Sequence, residues 1–178
     1  MIEVYKRELL AWNAKINLIG PEAQANLDDH IAEALQAAEI LKPDREVLDF
    51  GSGGGLPAIP MAIVSPNARF HLVEADQKKW AFLKHVVREC RLNSVVYGDR
   101  LDRVLTRLPS DLKFSLVTSR AVGNPQQWLP SLAPWMELGG RAALFQASSE
   151  APAMHHFRKG AAYQLRRGFL VVFHVEQA

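Results

Sequence analysis

The stretch Arg-Glu-Val-Leu-Asp-Phe-Gly-Ser-Gly-Gly-Gly-Leu-Pro, from Arg45 to Pro57, constrains this chain more than any other. Val47 and Leu48 form a short apolar run leading into Gly51, Gly53 and Gly55, which recur at every second position. That pattern predicts a buried parallel strand running into a glycine-rich turn. Glycine suits such a turn because it accepts positive φ and lets a ligand approach the backbone. A helix is expected to follow, from about Pro57 to Val64, with its N–H groups and positive dipole end facing the turn. Spacing limits what the turn can hold. A dinucleotide fingerprint, G-x-G-x-x-G, needs its third glycine at position 56, which is Leu56. A P-loop needs a lysine and then a serine or threonine after its glycines, and neither follows.

What remains is an acid, Asp49, followed by three alternating glycines. A second acidic marker lies downstream: Arg69 to Val73 reads as the next strand and ends in Glu74, 25 positions after Asp49. A carboxylate at the tip of a second strand can accept both ribose hydroxyls of a bound nucleoside. The arrangement resembles the first motif of the S-adenosylmethionine-dependent methyltransferases. A glycine turn without a ligand is the alternative.

At 178 residues the chain suits one domain with a sizeable core. The first 18 residues read as a helix, Gly20-Pro21 breaks it, and a second helix runs to about Leu41 with Leu27, Ile31, Ala34, Leu35 and Ala38 inward and Asn26 or Asp28 as its cap. Residues 1–42 are thus expected to be a helical N-terminal extension packed on the core. Beyond the glycine turn, residues 77–92 form an amphipathic helix, with Leu83, Val86, Val87 and Cys90 on one face and Lys84, Arg88 and Arg91 on another. Ser94 to Gly98 reads as a third strand followed by a loop over 99–102, and Lys113 to Ser119 as a fourth. A proline-interrupted helix over Pro125–Met136 follows, then a hairpin-like stop at Gly139-Gly140 and a fifth strand from Arg141 to Phe145. A helix near Ala151–Phe157 and a last strand, Phe169 to Phe173, complete the reading. Alternating strands and helices predict a doubly wound α/β sheet.

Charge excludes little. The net charge of +2 permits a nucleic-acid partner without demanding one. The single cysteine, Cys90, rules out an internal disulfide or a four-cysteine zinc site and fits a reducing compartment. The N-terminus lacks the apolar segment of a signal peptide, and no run is long enough to span a bilayer, so a cytoplasmic protein is expected. His155 and His156 are adjacent, point different ways on a helix, and are read as surface residues, not a metal pair.

Several local patterns agree on one family. Trp12-Asn13-Ala14-Lys15-Ile16-Asn17-Leu18 is similar to its W-N-x-x-x-N-L segment, and His30 falls where that family places a histidine. The block from Asp49 to Pro60 resembles its glycine motif, and Ser119-Arg120-Ala121 its S-R-A after the fourth strand. This is the bacterial GidB (RsmG) family, and the resemblance runs from about residue 5 to 146. The chain departs from the family pattern at Ala58 (usually glycine), at Ala75 after Glu74, over Asp99-Arg100-Leu101-Asp102, which keeps only the arginine and an acid of the family's G-R-A-E, and at Gln146-Ala147, where Lys-Gly is usual.

The resemblance implies a Rossmann-like methyltransferase sheet that uses S-adenosyl-L-methionine to methylate N7 of a guanine in 16S ribosomal RNA, or in the small ribosomal subunit. It implies a monomer with no metal and no membrane partner. It implies a cofactor site of Asp49, Gly51, Gly53, Gly55, Leu56, Glu74, Arg100, Leu101, Asp102 and Arg120. Guanine N7 carries a lone pair and no proton, so the reaction needs positioning more than a general base. Arg120 is therefore expected to hold guanine O6, a phosphate or the cofactor carboxylate, in a mixed role leaning toward the cofactor. An ion pair with an acid such as Asp49 is its alternative. Asp49 either touches the cofactor or caps the glycine turn. Asp99 or Asp102 accepts from the adenine amino group or is a solvated loop acid. Lys78, Lys79, Lys84, Arg88 and Arg91, and separately Arg158, Lys159, Arg166 and Arg167, are candidate RNA contacts or solvated faces. Trp12 is read as core. A methyltransferase for a small molecule or protein, and a non-catalytic RNA-binding module, are the competing functions.

Overall fold

The computed structural model describes residues 1–176. A seven-stranded sheet takes the order β3-β2-β1-β4-β5-β7-β6. Its strands are β1 (Glu46–Phe50), β2 (Arg69–Val73), β3 (Ser94–Tyr97), β4 (Phe114–Arg120), β5 (Met136–Gln146), β6 (Phe157–Gln164) and β7 (Phe169–Val175). The first five pair in parallel, while β7 runs antiparallel to both β5 and β6. The chain reverses direction in strand order at β1, between β2 and β4, where ligands of open α/β sheets bind.

Helices cover both faces. On one lie α1 (Ile2–Asn13), α3 (Leu27–Leu41), α4 (Ala58–Val64) and α5 (Gln77–Glu89), whose buried side chains share a core with Val47, Phe70, Leu72 and Leu116. On the other lie α6 (Leu101–Leu105), α7 (Pro125–Trp128) and the 3₁₀ segment Leu129–Trp135, packed over Leu48, Val73, Phe114 and Val117. The short α2 (Pro21–Ala25) links α1 to α3. Tyr5 and Leu9 of α1 are wholly buried, and each such side chain contributes about 1.5–3 kcal/mol. Trp12 packs tilted against Phe82 and His85, with ring centroids 5.7 and 5.3 Å away. The N-terminal helices are therefore part of the main core. Among the described residues no helix is long and apolar enough to cross a membrane.

Five local expectations are corrected. The first helix stops at Asn13, whose side-chain oxygen accepts from Leu18 N and Ile19 N and turns the chain. Asn26 stands at the N-cap of α3, but its amide bonds Glu22 instead of the helix amides. The loop over 99–102 gives way at Leu101 to α6, anchored by the apolar Leu101, Val104 and Leu105. Gly139-Gly140 does not precede a strand; both lie inside β5, where Gly139 at φ +78° accompanies a register shift against β4. There is no helix at 151–157. The apolar β7 needs a partner on each edge, and β6 supplies the second, so tertiary pairing overrides local helix propensity. His155 and His156 consequently sit exposed in a turn, with His156 at φ +65°.

Candidate active site

The glycine turn begins where β1 ends. Gly51 N and Ser52 N both donate to Val73 O of β2, at 3.0 and 3.1 Å, so the turn is tied to the neighbouring strand. Gly51, Gly53 and Gly55 all have positive φ, +73°, +52° and +89°. Their requirements differ beyond that. A Cβ on Gly51 would lie 2.4 Å from Val122 Cγ2, and one on Gly55 would lie 2.5 Å from Ile59 Cγ1. A Cβ on Gly53 would meet nothing closer than 3.8 Å. Gly51 and Gly55 thus make room for the protein's own packing, while Gly53 keeps its outer side open.

Glu74, just past β2, braces this turn. Its Oε2 accepts from Gly53 N and its Oε1 from Asp76 N, both at 2.8 Å. Each carboxylate oxygen retains a lone pair, so a ligand's hydroxyl can still be accepted. Asp49 is placed differently. It is 1 % exposed, and its Oδ1 accepts from Thr118 Oγ1 at 2.6 Å, inside the sheet. Burial pushes its carboxyl up to about 6, against the lowering by hydrogen bonds from Thr118 and Ser52 and with a further push from the Glu74 charge. Asp49 therefore supports the turn from beneath.

The turn also rests on the N-terminal helices. Tyr5 Oη donates to Gly54 O at 2.8 Å, and Leu9 and Ile19 fill the space in front of Gly54. Arg100 N donates to Asp99 Oδ1, and Asp99 Oδ2 accepts from Arg107 at 2.8 Å. Leu101 is buried, while Arg100 and Asp102 are exposed beside it.

Arg120 closes β4 at the same edge, but it does not reach Asp49. Its Nη2 donates to His30 Nδ1 and lies 3.5 Å from Glu33 Oε2, both on α3. With Nδ1 accepting, the His30 proton resides on Nε2, which is 3.7 Å from Glu22 Oε2. Glu33, 3 % exposed, is engaged on both oxygens: its Oε1 also accepts from Arg167 N at 2.5 Å. Arg120 Nη1 is buried and has no hydrogen-bond partner, which is costly unless something else accepts from it. A cleft of about 310 Å³ opens here, lined by these groups together with Phe145, Leu165 and Phe169. Glu22, Glu33 and Tyr5 were not among the residues singled out from sequence. A carboxylate at 33 amid the apolar stripe of α3 was the available signal.

The candidate basic groups are partly spent. Arg166 pairs with Asp29 at 3.1 Å and Arg167 with Glu22 at 2.6 Å, so the β6–β7 connection is strapped to α2 and α3. Lys84 lies over the Trp80 ring, 4.6 Å from its centroid. Lys78, Arg88 and Arg91 stay exposed around α5.

These residues fit S-adenosylmethionine: an open glycine at positive φ, a carboxylate at the tip of β2, and an orphaned guanidinium nitrogen at the tip of β4. Comparison with known proteins agrees. The family model for GidB, rRNA small subunit methyltransferase G, matches residues 1–176. Ribosomal RNA small subunit methyltransferase G of Helicobacter bizzozeronii is 33% identical over 148 residues, covering 83% of this chain and 81% of the relative. The protein of that name from Gluconobacter oxydans is 35% identical over 153 residues, covering 85% and 76%. Among solved structures, a putative O-methyltransferase from Klebsiella pneumoniae superposes with a TM-score of 0.70 at 14% identity, covering 97% of this chain and 90% of that one. A SAM-dependent methyltransferase from Aquifex aeolicus gives 0.66 at 14% identity, covering 89% and 100%. Those two likenesses concern the fold. By its family match and its relatives, the chain belongs to the GidB family of S-adenosylmethionine-dependent small-subunit ribosomal RNA methyltransferases.

Proposed function

We propose that this chain transfers a methyl group to N7 of a guanine in 16S ribosomal RNA, acting in the cytoplasm as a monomer whose residues 1–42 belong to the single catalytic domain. One observation carries the acceptor. The acids and the histidine of the cleft, Glu22, His30 and Glu33, are all engaged by Arg167, Arg120 or one another. None is poised as a base, and N7 has no proton to lose, so positioning suffices.

S-adenosylmethionine, when bound, supplies an electrophilic sulfonium methyl. The residues that would hold it are Gly51, Gly53, Gly55 and Leu56 along the turn, Glu74 at the ribose, and Arg100, Leu101 and Asp102 beside the base. Asp49 acts through the turn it braces. Arg120 positions the acceptor: its Nη2 is committed to α3, its Nη1 is unpaired and its side chain lines the cleft, so the role leans to the acceptor and away from the cofactor carboxylate.

The test is methylation of small-subunit RNA by the purified protein, followed by mass analysis of the nucleosides and mass mapping of nuclease-released oligonucleotides. 7-Methylguanosine at one position is expected, and any other methylated nucleoside overturns the reading. Arg120→Ala should lower single-turnover methylation at least tenfold with cofactor affinity, measured by calorimetry, nearly intact. A first-order loss of cofactor affinity would instead assign Arg120 to the cofactor carboxylate.

A further inference from the structure

Resting on the guanine reading above, we propose that the cleft between α2, α3 and the ends of β4, β5 and β7 receives the target base, and that Glu22 reads its Watson–Crick edge and so selects guanine.

The edge opposite N7 presents an acceptor, O6, followed by two donors, N1–H and the N2 amino group. The cleft presents the complement. Arg120 Nη1 is a buried donor without a partner. Arg120 and Glu22 both approach the His30 ring, Arg120 at Nδ1 and Glu22 at Nε2, so a carboxylate lies near the guanidinium. A carboxylate can accept N1–H and N2–H together, while Nη1–H meets O6. Adenine presents an unprotonated N1 there, and a carboxylate facing that lone pair is repelled. An arginine gripping O6 without forking onto N7 leaves N7 open to attack, unlike the usual two-pronged guanine contact. Phe145, Leu165 and Phe169 supply the apolar wall that a base taken out of its stack needs.

Only one of the two cleft carboxylates can do this. Glu33 is buried and holds Arg120 and the Arg167 backbone. Glu22 has 64% of its side chain exposed, and its Oε1 is shared between Arg167 at 2.6 Å and Asn26 Nδ2 at 3.1 Å. An exposed ion pair of that kind is worth little, so Glu22 exchanges its partner for the base at small cost. The released Arg167 guanidinium is then available to an RNA phosphate.

The experiment uses the full chain and small-subunit RNA carrying either guanosine or inosine at the position found by mass mapping. Inosine keeps N7, O6 and N1–H and lacks the N2 amino group. Wild type should prefer guanosine by roughly ten- to hundredfold in kcat/KM, the worth of a hydrogen bond to a charged group. Glu22→Gln and Glu22→Ala should bring that ratio close to one while cofactor affinity stays at the wild-type value. A guanosine-to-inosine ratio in both variants equal to that of an active wild type overturns the role of Glu22 and leaves the methyltransferase reading standing. A wild type that forms no 7-methylguanosine overturns the guanine reading and this inference with it.

Discussion

The glycine turn and the cleft beside it share one edge of the sheet yet are assembled by different means. The turn is held without ion pairs: backbone bonds to Val73, the Tyr5 hydroxyl on Gly54, the Glu74 carboxylate accepting from Gly53 N, and a buried Asp49 whose nearest partner is the Thr118 hydroxyl. The cleft is held by ions. Glu33 gathers Arg120 and Arg167 from the two far ends of the sheet's second half, and Glu22 and Asp29 pair with the β6–β7 connection. A carboxylate is buried in each region, but only the one at 33 has cations against it. The turn should therefore respond to shape and protonation, the cleft to charge removal and salt.

The largest effect tests shape. Gly53→Trp should abolish calorimetric binding of S-adenosylmethionine in a folded protein, since the added side chain enters open space at a modest backbone cost. Gly51→Trp should instead unfold the protein, because even a Cβ there collides with Val122. Equal loss of fold in both variants would erase the distinction between an open and a packed glycine. Next, Glu33→Ala strands Arg120 and the Arg167 amide; removing one partner of a buried pair costs roughly 3–5 kcal/mol, and the partial exposure of Arg120 sets the expectation at the low end. Urea unfolding measures it, and a loss below about 1 kcal/mol would show that the ions are ornamental to the cleft.

The third prediction concerns pH. A carboxyl raised to about 6 when folded, against 3.8 as its ordinary value, binds its proton more tightly in the native state. Its contribution is fully present below about pH 4 and is lost as pH rises to about 6, on the order of 3 kcal/mol in all. Asp49→Asn should remove that slope from stability measured between pH 4 and 6.5, and should leave the variant no less stable than wild type at pH 7.5. An unchanged slope would mean that Asp49 keeps its charge at the bottom of the turn and that the two regions are held alike.

The same contrast explains what could be read from sequence. The turn is local: Asp49 to Leu56 is one run, and Glu74 follows after one helix, so strand periodicity and glycine spacing located both. The cleft is assembled across separations of 90 residues between His30 and Arg120 and 134 between Glu33 and Arg167. No periodicity carries such pairings, so the ion pair weighed as the alternative for Arg120 names Asp49, whereas the acid beside Arg120 is Glu33. The C-terminal part failed for a related reason. Arg158 to Gln164 is an edge strand with most side chains exposed, so it lacks the apolar alternation that marks a strand, and only the demand of β7 for a second partner makes it one.

The hydrogen bond from Tyr5 to Gly54 also has a kinetic side. α1 is joined to the turn by side-chain packing and one side-chain bond, not by sheet pairing, and such an element can open locally in a native protein. Each opening withdraws the Tyr5 hydroxyl and the Leu9 side chain from the back of the turn. The residence of the turn in its ligand-ready shape is thus bounded by the closed time of a helix whose residues lie 49 positions earlier in the chain. A ligand that prefers the intact turn must, by linkage, hold α1 shut. Amide hydrogens of α1 should then exchange more slowly when the cofactor is bound.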